Sequence, residues 1–379
     1  MDPDALRRLQ PWGLAAAGLV VLFCLFAFVS TAVGLAVLGL AVMTGVVMFA
    51  GWRRLILIGV VIVLVTFFTG ALIRLLPGDP TESFLPSASE EERERVRDDL
   101  GLNDSIFVQY GIFIKAFATG ETRYYQGGAE GSGVRSEKVW DRLGSRLPRS
   151  LQLMAYAQIM ALLVAIPIGI LAAYRAGSRL DKLLSTSAFG LLSLPNFVLA
   201  YILIYYLAVK NDVFDTSGYE PMGTVDLLHP LGTDFSAHFK AMFLPTLSLA
   251  VAQIAVYMRL LRSDMIQTLQ EDFITMARSK GLTTRRILLR HALRPSSFSL
   301  LTVAAINLGA LIGGAIIIEV IFQLGGVGQL ILASIQQRQY EALQTFIGVI
   351  AVAYVLINVI VDILYSILDP RIRHARATA

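Results

Sequence analysis

From Pro11 to Trp52 the chain contains no Asp, Glu, Lys or Arg, and that unbroken apolar run restricts the fold more than any other feature. A membrane-spanning helix takes about 20 apolar residues at a rise of about 1.5 Å each. A single helix over the whole run would reach roughly 60 Å, about twice the thickness of a bilayer core. The run therefore reads as a transmembrane hairpin over 12–30 and 32–51, with a turn near Ser30 to Gly34. The rival reading is a cleaved secretory leader, because Arg7 and Arg8 precede the apolar stretch. Another apolar segment follows at once behind Arg53 and Arg54, which favours the hairpin.

The pattern recurs along the chain. Spans are expected over 55–73, 151–173, 183–208, 242–261, 297–318 and 345–367. With 379 residues, 55% apolar, 16% charged and a mean hydropathy of +0.65, this is an α-helical polytopic membrane protein. A soluble domain of this size carries about a quarter charged residues. The net charge of +4 does not point to nucleic acid, because basic residues cluster in short loops beside the spans. Eight helices with Arg7, Arg8, Arg53, Arg54, Arg175, Arg179, Lys182, the 262–295 loop, Arg371, Arg373 and Arg376 inside place both termini in the cytoplasm. The opposite side receives 209–240, where Asp212, Asp215, Glu220, Asp226 and Asp234 outnumber Lys210 and Lys240. Cys24 is the sole cysteine, so no internal disulfide forms.

The polar stretch 77–150 carries helix signals of its own. Ser89 to Glu92 makes a capping box that opens a charged helix ending at Gly101. Ile106, Phe107, Tyr110, Ile112 and Phe113 predict a second helix resting on the membrane bundle. The glycine-rich stretch 127–133 reads as a flexible insert. A solvated cap and a contact surface for an external delivery protein both fit this segment.

Between Glu271 and Pro295 a charged amphipathic stretch stands where a short polar turn would suffice. Ile266, Leu269, Phe273, Met276 and Ala277 recur at helical spacing, with Glu271, Asp272, Thr275, Arg278 and Ser279 on the other faces. Gly281 is placed to end the first short helix, and Thr283 to cap a second that runs to Pro295. A helix presented in this way by a membrane bundle is a docking element. A merely solvated basic loop would have no use for the apolar stripe.

Several ordered motifs complete the picture: RLLPGDP at 74–80, LGLNDSIFVQY at 100–110, RLPRSLQL at 146–153, LSLPNF at 192–197, ARSKGL at 277–282, RHALRP at 290–295 and LDPRIR at 368–373. In these the chain resembles the integral-membrane permease subunits of dipeptide and oligopeptide ABC importers, from about Arg53 to Arg373. The resemblance implies a six-helix type I importer permease core, to which the hairpin is an addition. The expected organisation is an extra hairpin over 1–52, a first core helix over 53–80, an extracytoplasmic insertion over 81–150, a core over 151–373 with its coupling loop at 262–295, and a tail over 374–379. Two departures stand out. Gly120 to Tyr125 replaces the family's GDFGRS pattern, and Thr275-Met276-Ala277 stands where the coupling motif has Glu-Ala-Ala.

No GxxxxGKS/T phosphate loop occurs, so the chain does not hydrolyse nucleotide by itself. His229, His238, His291 and His374 lack metal-ligand spacing. The resemblance implies a non-catalytic subunit of the prokaryotic plasma membrane with no cofactor of its own. ATP and Mg would be bound by two cytoplasmic ATPase subunits. A homologous second permease, an extracytoplasmic peptide-binding protein and membrane lipid complete the partners, with no nucleic acid. It also implies that Glu271, Asp272, Phe273, Met276, Ala277, Arg278, Lys280, Gly281 and Leu282 couple the chain to the ATPase. Phe273, Met276 and Ala277 would enter an apolar groove, with Glu271, Asp272, Arg278 and Lys280 pairing at its rim.

Polar groups inside spans are candidates for lining a pathway. Ser193, Asn196, Gln253, Asn307 and Glu319 are those groups, with Asp362 in the last span. Interhelical hydrogen bonding accounts for each of them equally well. Ser193, Pro195 and Asn196 are expected to kink the 183–208 helix, and Gly309 with Gly313 to form a helix-packing face. Two alternatives remain in view: a secondary transporter driven by an ion gradient, and a relative carrying nickel, glutathione or sugars. The first requires buried ionisable groups and inverted repeats, and neither is evident in the sequence.

Overall fold

The computed structural model describes residues 52–74, 81–82, 89–99, 101–127, 134–214, 218–219 and 234–368. The expected hairpin over 12–51, the turn after the first core helix and the tail lie outside these residues. In chain order the elements are α1 (Trp52–Arg74), α2 (Glu90–Asp99), α3 (Ile106–Thr119), β1 (Arg123–Gly127), β2 (Val134–Lys138) and α4 (Val139–Tyr174). There follow α5 (Arg179–Leu192), α6 (Asn196–Val209), α7 (Phe235–Thr268), α8 (Asp272–Ser279), α9 (Thr284–Ile321), α10 (Val327–Gln336) and α11 (Tyr340–Leu368).

Among the described residues, α4, α7, α9 and the Tyr340–Asn358 part of α11 are long and apolar enough to cross a membrane. α5 and α6 make a fifth passage, bent by 102° at its break. α1 adds a shorter apolar stretch over Gly59–Arg74. The break has a local cause. Pro195 lacks an N–H and disfavours helical geometry at Leu194 before it. It takes the extended values φ −60°, ψ 140°, and the Ser193 hydroxyl turns back onto the Gly190 carbonyl at 2.7 Å.

The chain divides into two compact units. One takes the described residues of 151–324 and 357–368, the other those of 52–150 and 325–356. The stretch 325–356 thus groups with the first core helix and the insertion, not with the rest of 151–373.

In the first unit, Leu153, Ala157, Ala161 and Ala165 are fully buried at four-residue spacing along α4. Gly169 continues this ridge. A Cβ there would stand 3.1 Å from Leu261 and 3.2 Å from the Met258 carbonyl, so α4 and α7 approach too closely for alanine without movement. On α9 the close approach falls on Gly314, where a Cβ would lie 3.1 Å from Leu249. The expected packing glycine, Gly313, meets nothing within 4 Å. One residue is about 100° around a helix, so spacing alone did not identify the face.

In the second unit the Ser89 capping box forms as the sequence predicts. Glu92 N–H donates to Ser89 Oγ at 3.3 Å, and Ser89 N–H donates to Glu92 Oε2 at 3.2 Å. α3 lies on α1, with Phe107 stacked on Phe67 and the Tyr110 hydroxyl bonded to the Val63 carbonyl at 2.8 Å. One short β hairpin accompanies the helices here. Arg123–Gly127 and Val134–Lys138 pair antiparallel, Arg123 opposite Lys138 and Tyr125 opposite Ser136, flanking the glycine insert. This hairpin is held from far along the chain. Gln339 accepts from the Tyr125 N–H at 2.9 Å and donates to its carbonyl at 2.7 Å, as a neighbouring strand would. Glu341 accepts from the Arg123 N–H at 3.1 Å and from the Tyr125 hydroxyl at 3.2 Å.

Candidate functional site

The charged stretch forms an elbow between two spans. α7 ends at Thr268, three residues turn, and α8 begins after Glu271, which is extended at φ −69°, ψ 147°. Asp272 in the first turn and Arg278 in the last suit the helix dipole. α8 stops in a Schellman arrangement, with Gly281 N–H on the Arg278 carbonyl at 2.9 Å and Leu282 N–H on the Ala277 carbonyl at 3.3 Å. Gly281 supplies the left-handed geometry this requires, at φ +73°.

α8 is apolar on two sides. Ile274 (0% exposed) and Ala277 (7%) turn inward, into a cluster that includes Leu261, Met265, Ile287 and Ala292. Leu282 packs on the same cluster. Phe273 (45% exposed) and Met276 (57%) stand outward. Glu271, Asp272, Arg278, Lys280 and Gly281 are exposed around them. Ala277 and Leu282 therefore hold the elbow to its own bundle and leave Phe273 and Met276 as its free apolar contacts.

The second helix does not end at Pro295. α9 continues from Thr284 through Pro295 to Ile321. A π-helical run at Ile287–Ala292, where Leu293 N–H reaches back to the Leu288 carbonyl, widens the turn just before the proline. This loosening accommodates a ring that would otherwise press on the preceding turn. Thr283 stands at the cap position in extended geometry, but its side chain makes no capping bond.

The polar candidates inside the bundle lie apart from this elbow. Asn307 Nδ2 donates to Gln253 Oε1 at 2.9 Å, joining α9 to α7. Ser193 is exposed at the break, and Asn196 opens α6 with its amide near Gly314. Glu319 is buried near the end of α9. The side chain of Asp362 lies outside the described residues.

Other polar pairs were not anticipated. Asp181 and Arg262 form a two-pronged ion pair, Nε to Oδ1 at 2.5 Å and Nη2 to Oδ2 at 2.8 Å. Thr268 and Ser296 bond at 2.9 Å, Ser299 bonds to Asp264, and Tyr257 donates to Gln158 at 3.1 Å. Asp181 and Arg262 lie 81 positions apart, so spacing along the sequence carried no signal of their pairing.

Comparison with known proteins matches two family models. The binding-protein-dependent transport system inner membrane component covers residues 165–374, and the corresponding N-terminal membrane component covers 48–154. The chain is 34% identical over 324 residues to the probable peptide ABC transporter permease protein y4tP of Sinorhizobium fredii, across 85% of this chain and 98% of that one. It is 33% identical over 317 residues to the oligopeptide transport system permease protein AppB of Bacillus subtilis, across 82% and 94%. To the dipeptide transport system permease protein DppB of Escherichia coli K12 it is 32% identical over 341 residues, across 86% and 98%.

Proposed function

The chain belongs to the family of binding-protein-dependent transport system inner membrane components and is an ABC importer permease; from this premise we propose that it forms half of a translocation pathway for di- and oligopeptides. Its elbow docks in a cleft of a cytoplasmic ATPase subunit. A homologous permease supplies the other half of the pathway, a second ATPase serves that permease, and an extracytoplasmic binding protein delivers the peptide. ATP and Mg belong to the ATPases. Both termini lie in the cytoplasm, on the side of the basic loops. Closure of the ATPases on nucleotide draws the docked elbows together and switches the bundle from inward- to outward-facing, a rigid-body change biased by ligand binding.

One observation carries this reading. α8 is fixed to its own bundle by Ile274 and Ala277 while Phe273 and Met276 stay exposed inside a charged rim. Phe273 and Met276 are already about half covered, so burying the rest contributes roughly half of the ~1.5–3 kcal/mol of a full burial each, and the rim charges fix the orientation of the partner. The cargo assignment draws on the named activities of the relatives.

Phe273→Asp or Gly281→Pro should abolish ATPase co-purification and peptide uptake while the chain still inserts. Unaltered ATPase recovery with either variant overturns the docking assignment. Uptake of a labelled dipeptide that persists without any ATPase would favour an ion-driven carrier. Competition by nickel, glutathione or a sugar, but not by peptides, would move the cargo elsewhere in the family.

A further inference from the structure

Asp181 sits in the first turn of α5, capped by Ser178, whose Oγ accepts from the Asp181 N–H at 3.2 Å. Its carboxylate, 3% exposed, accepts from the Gly177 N–H at 2.8 Å and takes both prongs of Arg262. Arg262 stands six residues before the end of α7, where the chain turns into the elbow. One turn back, the Arg259 guanidinium lies 3.9 Å over the Phe189 ring, a second tie between the same two helices. A buried ion pair is weak evidence for stability, because apolar side chains of equal volume serve as well. The best-attested use of such a pair is to fix registry between the elements it joins.

The surroundings give that registry a direction. Ala173, Ala188, Leu261, Met265, Ile274, Ala277, Ile287 and Ala292 share one buried cluster. α5, the end of α7, the elbow helix α8 and the start of α9 therefore pack as one block. The Thr268–Ser296 and Asp264–Ser299 bonds close its α7–α9 side. At the other end of α5 lies the 102° break into α6. The Arg262–Asp181 pair ties the start of α5 to the part of α7 that leads into the elbow.

We infer that Asp181 and Arg262 are positioning residues that carry displacement of the docked elbow into the broken α5–α6 span. The inference rests on the reading of α8 as the ATPase dock. When the elbow moves, α7 moves with it. The ion pair compels α5 to follow in register, so the break swings instead of α5 sliding along α7. Neither side chain touches nucleotide or cargo in this scheme.

The test uses the whole complex, reconstituted in vesicles with both permeases, the ATPases and the binding protein. It compares dipeptide uptake per ATP hydrolysed in the parent, Asp181→Asn, Arg262→Gln and the double variant. Each single variant should keep its ATPase partner and hydrolyse ATP within about two-fold of the parent. Uptake per ATP should fall at least about ten-fold, and the double variant should fall no further. An unchanged ratio, or uptake and ATPase recovery lost in parallel, overturns the inference in favour of static support. Nitroxides at Leu183→Cys and Thr284→Cys, in a Cys24→Ser background, provide a second readout. The parental distance should stay constant between nucleotide-free and nucleotide-trapped states and broaden in Asp181→Asn. A parental distance that changes between the states refutes the rigid block but leaves the dock intact. A parent that recruits no ATPase refutes the dock itself, and this inference with it.

Discussion

Gly281 shows how one residue sets the shape of the elbow. A Cβ there would meet nothing within 4 Å, so the demand for glycine comes from the backbone at φ +73° and not from crowding. Left-handed geometry costs an ordinary L-residue about 1–2 kcal/mol. Gly281→Ala should lower the thermal unfolding midpoint in detergent by a corresponding amount, and Gly281→Asn by less, because asparagine tolerates that region better. Equal midpoints for all three would show that the Schellman turn contributes nothing. Gly70 is the opposite case. A Cβ there would collide with the Gln344 amide, which donates to the Thr66 carbonyl at 3.2 Å. A side chain there would have to push the Gln344 amide off that carbonyl, so the demand at Gly70 is one of space and not of φ.

Among the elements, the β hairpin is the one whose stability comes from outside itself. Its strands are short and polar, and a lone two-stranded hairpin is marginal in water. Gln339 and Glu341 provide the missing edge. Gln339→Leu removes two bonds to Tyr125 in one step, at a cost of about 1–3 kcal/mol for each buried group left unsatisfied. Hydrogen exchange of the Tyr125 amide should accelerate at least about five-fold in that variant, while the capped helix α2 exchanges as before. Burial, and then the nearby Glu341 carboxylate, push the Tyr125 phenol far above its ordinary range. A raised phenol pKa means that the folded state holds the proton more tightly. The contribution is therefore complete below the unfolded value of about 10 and is lost as pH rises beyond it. Protection of the hairpin should be flat from pH 6 to about 9 and weaken in stronger alkali.

For the whole molecule, the question is which parts the transport machinery requires. The N-terminal family match begins at residue 48, so the apolar stretch before it lies outside the matched region. Deleting residues 1–50 should leave membrane insertion, ATPase co-purification and peptide uptake within about two-fold of the full chain. Loss of assembly on that deletion would make this stretch part of the core.

Features governed by neighbouring residues are legible in the amino-acid sequence by itself. The long spans follow from apolar length, because a bilayer leaves a backbone of that kind little alternative to helix. The Ser89–Glu92 box and the Gly281 stop depend on groups at most five residues apart, and the 102° break follows from Pro195. The tertiary structure alone decided which faces meet. It turned Ala277 inward and Phe273 outward, placed the tight contact at Gly314 instead of Gly313, and built a hairpin on residues 214 to 218 positions away. It also brought Asn307 to Gln253 and Arg262 to Asp181, 54 and 81 positions apart. The physical reason is range. Caps, turns and hydropathy act through adjacent residues, whereas interhelical registry depends on rotations and depths that only the packed bundle fixes.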